Sequence, residues 1–175
     1  MEACDTLLYA RQIIESVSAR HNYRVTLPPK PFATAYSTAS HVHMSVSSRK
    51  GDKRVIYNFF YAGLLKHFRA ICAFANSHPT SYERIADGVW SGGRWVCWDA
   101  QKKETPLRKC EKGHWESKLM DGLINPYLAM SAILAAGTSG IVNKTPMTWG
   151  DCVVNPASLN DGQRRELGTS CESLP

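Results

Sequence analysis

Seven residues, His41-Val42-His43-Met44-Ser45-Val46-Ser47, alternate polar and apolar without a break, and this period of two constrains the fold more than any other feature of the chain. A helix cannot sort such a run onto two faces. A strand does, with imidazoles and hydroxyls on one side and Val42, Met44 and Val46 on the other. A second segment, His114-Trp115-Glu116-Ser117-Lys118-Leu119, places imidazole, carboxylate and ammonium on one side, with Trp115 and Leu119 among those opposite. Strands of this kind build a sheet with one apolar face for a core. The other face is too polar to be core, so it is expected to line a cleft, as the floor of a metal or phosphate site.

The rest of the chain supplies what such a sheet packs against. Asp5 or Thr6 can cap a first helix in which Leu7, Ala10, Ile13, Ile14 and Val17 recur at helical spacing up to about Arg20, packing by one stripe. Residues 25–27 read as a short strand, and Pro28-Pro29-Lys30-Pro31 forces an extended or turning connection. Arg49-Lys50-Gly51-Asp52 is turn chemistry. Over residues 55–75 a second helix is predicted from Ile56, Phe59, Phe60, Leu64, Phe68, Ile71 and Cys72. Residues 76–93, with Pro79, Gly88, Gly92 and Gly93, read as one long loop. Strands follow over 94–100, 105–110 and 114–119, the last two joined by Glu111-Lys112-Gly113 at hairpin length. Asn125-Pro126 opens a third helix that Gly137 and Gly140 weaken or close. Beyond Ile141 the chain reads as an irregular tail with one short helix over 161–167. The expected fold class is α+β: one domain spanning 1–175, an antiparallel sheet with helices stacked on one of its faces.

Composition narrows the partners. With 43% hydrophobic residues, 175 residues can bury one ordinary core. The net charge is +6, thickened locally at Lys102, Lys103, Arg108, Lys109 and Lys112, which suits an anion. No groove-reading motif accompanies the cluster, so nucleotide phosphates or a carboxylate fit at least as well as nucleic acid; a solvated basic face is the plain alternative. The six cysteines show no C-x-x-C pairing and read as free thiols of a reducing, cytoplasmic compartment. Glu2 and Asp5 do not match a secretory leader. The most apolar region, 123–142, is interrupted by Asn125, Pro126 and several small polar residues, so a buried helix is expected rather than a membrane span.

His41 and Glu116 form the best candidate metal pair, since imidazole and carboxylate together suit a divalent ion. Further ligands have to come from water or another polypeptide. The alternative is two surface or hydrogen-bonded imidazoles in an isolated His-x-His. Arg84, Arg108, Lys103 and Lys118 are candidate anion contacts, against the alternative of routine surface charge. Arg84 follows Thr80-Ser81-Tyr82 in the long loop, where a rigid scaffold can present it to a ligand. Trp90, Trp95, Trp98 and Trp115 fill core or cover a pocket. No glycine-rich phosphate loop and no nucleophile elbow occurs, which argues against several common enzyme classes.

The order of motifs adds more than any one of them. Lys30-Pro31-Phe32, His41-Val42-His43-Met44-Ser45, Gly63-Leu64-Leu65-Lys66-His67, Ala73-Phe74-Ala75-Asn76, Ser81-Tyr82-Glu83-Arg84, Pro106-Leu107-Arg108, His114-Trp115-Glu116, and Asp121-Gly122 followed by Asn125-Pro126-Tyr127-Leu128 resemble the C-terminal catalytic domain of type I glutamine synthetase. The flavour is that of the fungal FluG-type branch. The resemblance is strongest over residues 11–140.

That resemblance implies ATP-dependent joining of ammonia, or another amine, to glutamate through a γ-glutamyl phosphate, with Mg2+ or Mn2+ and a cytoplasmic homo-oligomer. It implies that His41 and Glu116 ligate a metal, that His43 and Ser45 lie beside the nucleotide, and that Arg108 meets its phosphates. Arg84 is implied against glutamate or the transferred phosphoryl group, and Lys103 and Lys118 near the acid substrate. Nucleic acid and membrane are not implied as partners. The chain departs from the family pattern where Lys103, His114 and Lys118 replace arginines, where Trp90 stands at the flap glutamate, and where Ser37, Thr38 and Ala39 replace glycines. The N-terminal β-grasp domain, the Glu-x-Glu strands and the C-terminal helical portion are expected to be absent. The 175 residues alone are therefore expected to be inactive or incomplete as a ligase. A non-catalytic FluG-type regulatory or nucleotide-binding protein is the other reading.

Overall fold

A computed structural model describes residues 2–34, 36–38, 40–49, 53–87, 94–101 and 104–169. Strands β1 (Val42–Ser45), β2 (Trp98–Asp99), β3 (Leu107–Lys109) and β4 (His114–Ser117) form one sheet in the order β1-β4-β3-β2. β1 and β4 pair antiparallel, with His43 opposite Glu116 and Ser45 opposite His114. β3 and β4 are the expected hairpin, with Arg108 opposite Glu116. β2 departs from expectation, since it is only two residues long and runs parallel to β3. A parallel pair is not a hairpin, so the antiparallel arrangement expected throughout holds for β1, β4 and β3 only.

Among the described residues there are six α-helices: α1 (Glu2–Arg20), α2 (Arg54–Lys66), α3 (Phe68–Ala75), α4 (Pro79–Arg84), α5 (Pro126–Val142) and α6 (Asp161–Glu166). The helix predicted over 55–75 exists as two, broken at His67, whose backbone angles (φ −103°, ψ 16°) interrupt the α geometry. Its apolar stripe is continuous across the break because Phe60, Leu64, Phe68, Ile71 and Cys72 all enter the same core. The predicted strand over 25–27 is not formed.

α5 begins as predicted, with the Asn125 carboxamide accepting from the Tyr127 and Leu128 amides and Pro126 in the first turn. It does not end at its glycines. A Cβ on Gly140 would sit 2.2 Å from the Phe59 carbonyl oxygen and 2.7 Å from the Gly63 Cα, so Gly63 and Gly140 allow the α2 and α5 backbones to touch. These glycines are therefore a packing device inside the helix.

The apolar face of the sheet closes on α2. Met44, Leu107 and Trp115 join Tyr57, Tyr61, Leu65 and Ile133 in one core. α1 is the exception to the packing expectation: Cys4 is its only buried residue, and Ile13, Ile14 and Val17 remain exposed. It is tethered at its start, where Tyr127 donates to Asp5, and at Arg11, which donates to the Ile124 carbonyl at 3.3 Å. Among the described residues no helix is long and apolar enough to cross a membrane.

Candidate functional site

The polar face of the sheet gathers most of the predicted side chains. The β1–β4 register sets His43 across from Glu116, and the β3–β4 register sets Arg108 on the other flank of the same glutamate. His41, just before β1, brings its Nδ1 to 2.6 Å from Glu116 Oε1, and His43 Nε2 lies 3.8 Å from that oxygen. Arg108 Nε stands 3.0 Å from the other oxygen, Oε2, as an ion pair without hydrogen-bond alignment. Ser45 Oγ is 2.8 Å from His114 Nδ1.

Glu116 is buried, yet it lies amid cationic groups. His41 is held below its ordinary pKa chiefly by burial, reinforced by Lys118 and Arg84 and opposed by Glu116. A neutral imidazole is the form that binds metals. Lys118 is fully buried and its ammonium is pushed down by that burial and by Arg108, while Glu116 and Asp99 draw it back. Arg108 is held above its ordinary value, first by its hydrogen bond to Cys110 and also by Glu116.

The fit of a divalent ion follows from the donors. Two cis ligands of an octahedral Mg2+ stand about 2.9 Å apart, given bonds of about 2.0–2.1 Å. The 2.6 Å between His41 Nδ1 and Glu116 Oε1 is a few tenths short of that, and Glu116 Oε2 is buried with no aligned hydrogen-bond donor. The pair fits an ion. It supplies two donors only, because among the described residues no third His, Cys, Asp or Glu donor joins it in a compact set.

Arg84 is found elsewhere than expected. Residues Pro79–Arg84 are helical rather than loop, opened by His78, whose imidazole accepts from the Thr80 amide. Arg84 is wholly buried, and its Nη2 donates to the carbonyls of Lys118 (3.0 Å) and Leu119 (2.9 Å). Its guanidinium clamps the chain leaving β4, near enough to His41 for its charge to act on that imidazole. Lys103 and Trp90 lie outside the described residues.

Two concavities border this face. One, of about 380 Å³, has mostly apolar walls from α1 and α5, including Leu7, Met130 and Leu134, with His41 and His43 at its rim. The other, of about 700 Å³, is lined by Arg54, Lys109, Lys112, Glu111 and Cys110. Cys110 is the residue that sequence reasoning passed over. It lies at the hairpin, its amide donating to the His114 carbonyl at 3.0 Å, and its thiol falls with His43 and His114 in a single compact group of potential ligands. A Cys-x-x-x-His pair spanning a predicted hairpin was the available signal.

Comparison with known proteins comes out consistently. A family model described as glutamine synthetase, catalytic domain, matches residues 1–175. Protein fluG of Emericella nidulans is 44% identical over 95% of the chain, which spans 19% of that protein. Type-1 glutamine synthetase 1 of Dictyostelium discoideum is 35% identical over 82% of the chain, which spans 32% of it. A solved GmaS/ADP complex superposes with a TM-score of 0.81 at 27% identity, covering 98% of this chain and 42% of that one. The chain thus spans about a fifth to two fifths of the proteins it resembles.

Proposed function

The chain belongs to the glutamine synthetase catalytic-domain family, and from that membership we propose that it carries the nucleotide-side portion of an ATP-dependent ligase joining an amine to the γ-carboxyl of glutamate. The single observation that carries this reading is the convergence of His41, Arg108 and His43 on Glu116 across three neighbouring segments of the sheet. The likeness to a GmaS structure described as an ADP complex supports a nucleotide as ligand.

In this reading His41 and Glu116 would hold a Mg2+ or Mn2+ ion, which would supply neutralisation of phosphate charge. Burial keeps His41 neutral and so available as a ligand. His43 and Ser45 lie beside the nucleotide and Arg108 meets its phosphates, its guanidinium oriented by Glu116 on one side and Cys110 on the other. Lys118, with Lys103, lends positive potential toward the acid substrate. Arg84 fixes the backbone that presents Lys118. With two donors only, the pair needs further ligands from elsewhere, so the 175 residues alone are expected to bind nucleotide without making glutamine. Assembly into a cytoplasmic homo-oligomer belongs to the same proposal.

A non-catalytic, FluG-type binding or regulatory role is the second reading. The burial of Lys118, where the family pattern has an arginine, favours it: an enclosed ammonium does not reproduce a guanidinium's two-pronged contact with a phosphate or carboxylate.

Calorimetry with ATP and Mg2+ tests the first reading. Saturable, Mg2+-dependent binding that Glu116→Ala abolishes while the fold persists supports it; binding indifferent to Glu116→Ala sinks it. In a coupled assay, ammonium-dependent glutamine formation by the unaided chain would overturn the expected incompleteness.

A further inference from the structure

We propose that His43, Cys110 and His114 form a second metal site, distinct from the His41–Glu116 pair, that takes a borderline-soft cation of the Zn2+ type. Each residue points one donor atom into a common volume, with all three atoms within 4.8 Å of one another. His43 Nδ1 and His114 Nε2 are 3.1 Å apart, and their rings are stacked at 5.2 Å. Two nitrogens bound to tetrahedral Zn2+ at about 2.0–2.1 Å stand roughly 3.3–3.4 Å apart. The metal-free spacing therefore has to open by only a few tenths of an ångström.

A group stands behind His114 at hydrogen-bond distance, and a carboxylate stands somewhat farther behind His43. Metal-bound histidines as a rule donate their remote ring N–H to a carboxylate, carbonyl or water. The remote nitrogen of His114, Nδ1, is 2.8 Å from Ser45 Oγ, and that of His43, Nε2, faces Glu116 Oε1 at 3.8 Å. Thiolate ligands are favoured beside cations. Arg108 Nη2 lies 3.5 Å from Cys110 Sγ. On binding, the thiol proton leaves to solvent, and the imidazole that carries the proton between the two rings shifts to its other tautomer, so that this proton stays on its ring at the remote nitrogen, beside Ser45 for His114 or, once the 3.8 Å gap closes, Glu116 for His43.

The donor set names the class of metal. Two imidazoles and a thiolate select Zn2+ over Mg2+, which prefers oxygen. Three protein ligands leave a fourth position open to water. The inference involves no nucleotide contact, so it stands or falls apart from the ligase reading. If both hold, zinc and nucleotide compete for His43.

The test is titration of the full, reduced chain with Co2+, which reports thiolate ligation through a charge-transfer absorption band. One equivalent is expected to bind with that band and to be displaced by Zn2+ but not by Mg2+. Cys110→Ser is expected to lose the band. His114→Gln is expected to weaken the metal by at least about 100-fold, the upper end of what even a supporting residue costs. Circular dichroism checks that each variant keeps its fold, and the two substitutions are independent, so one remains informative if the other does not fold. A band that persists in Cys110→Ser, no band in the reduced parent chain, or unchanged affinity in a folded His114→Gln would overturn the proposal.

Discussion

Tyr61 of α2 stacks on Trp115 of β4, with ring centroids 4.2 Å apart and planes 13° from parallel. Its hydroxyl reaches the Met44 carbonyl at 2.8 Å and the Gly113 carbonyl at 3.0 Å. One side chain thus covers the apolar face of the sheet and ties β1 to the β3–β4 hairpin. Because strand residues alternate, fixing Met44 and Trp115 inward fixes His43, His114 and Glu116 on the opposite face.

Tyr61→Phe tests that coupling. The ring is retained while one buried and one half-buried carbonyl lose a shared donor, so a loss of about 1–3 kcal/mol is expected. In a chain of this size that lowers the thermal midpoint by about 2–4 °C per kcal/mol. A midpoint equal to that of the parent chain would show that the hydroxyl does not hold the strands.

Arg84→Met tests the assignment of Arg84 as a clamp. Methionine keeps the apolar stem but leaves the Lys118 and Leu119 carbonyls without their guanidinium donor. About 3–6 kcal/mol of stability is expected to disappear, since each of the two hydrogen bonds from a charged donor is worth about 1.5–3 kcal/mol. Urea unfolding measures it. An Arg84→Met chain as stable as its parent, with weaker ligand binding, would return Arg84 to the ligand-contact role that the family resemblance implied.

Alkaline pH tests the packing of α3. Burial pushes the Cys72 thiol up to about 12, against the weaker pulls of Asn76 and Arg84 in the opposite direction. A folded pKa above the unfolded one favours the native state fully below the unfolded value and loses that contribution as pH rises toward the folded value. Stability is therefore expected to fall from about pH 9 upward, with Cys72 contributing about 1 kcal/mol of the loss between pH 9 and 10. Urea unfolding of Cys72→Ala at those two pH values isolates the term: its loss should be smaller than the parent's by that amount. Equal slopes would mean that Cys72 ionises normally in the fold.

Much of the site was legible in local order. Alternation alone set His43 and Ser45 on the face that also receives His114 and Glu116, and the Glu111-Lys112-Gly113 turn fixed which strands meet. The α5 start was equally local, because the Asn125 cap and Pro126 act within one helical turn. α6 is a further case, its Asn160 and Gln163 completing a reciprocal cap in place of part of the irregular tail.

Other features depend on residues far apart in the chain. His67 breaks a helix whose apolar period runs on undisturbed, and the parallel pairing of β2 is made with a partner that local sequence cannot name. The stripe on α1 has helical spacing but no described surface to cover it, so amphipathicity predicted the helix and not its burial. Arg84 looked like a loop cation until the fold wrapped it in backbone carbonyls, and Cys110 looked like an idle thiol until the hairpin set it beside two imidazoles. Periodicity and capping are energies between near neighbours, written directly in residue order. Burial, strand partnership and the meeting of ligands are set by contacts that exist only once the chain has closed on itself.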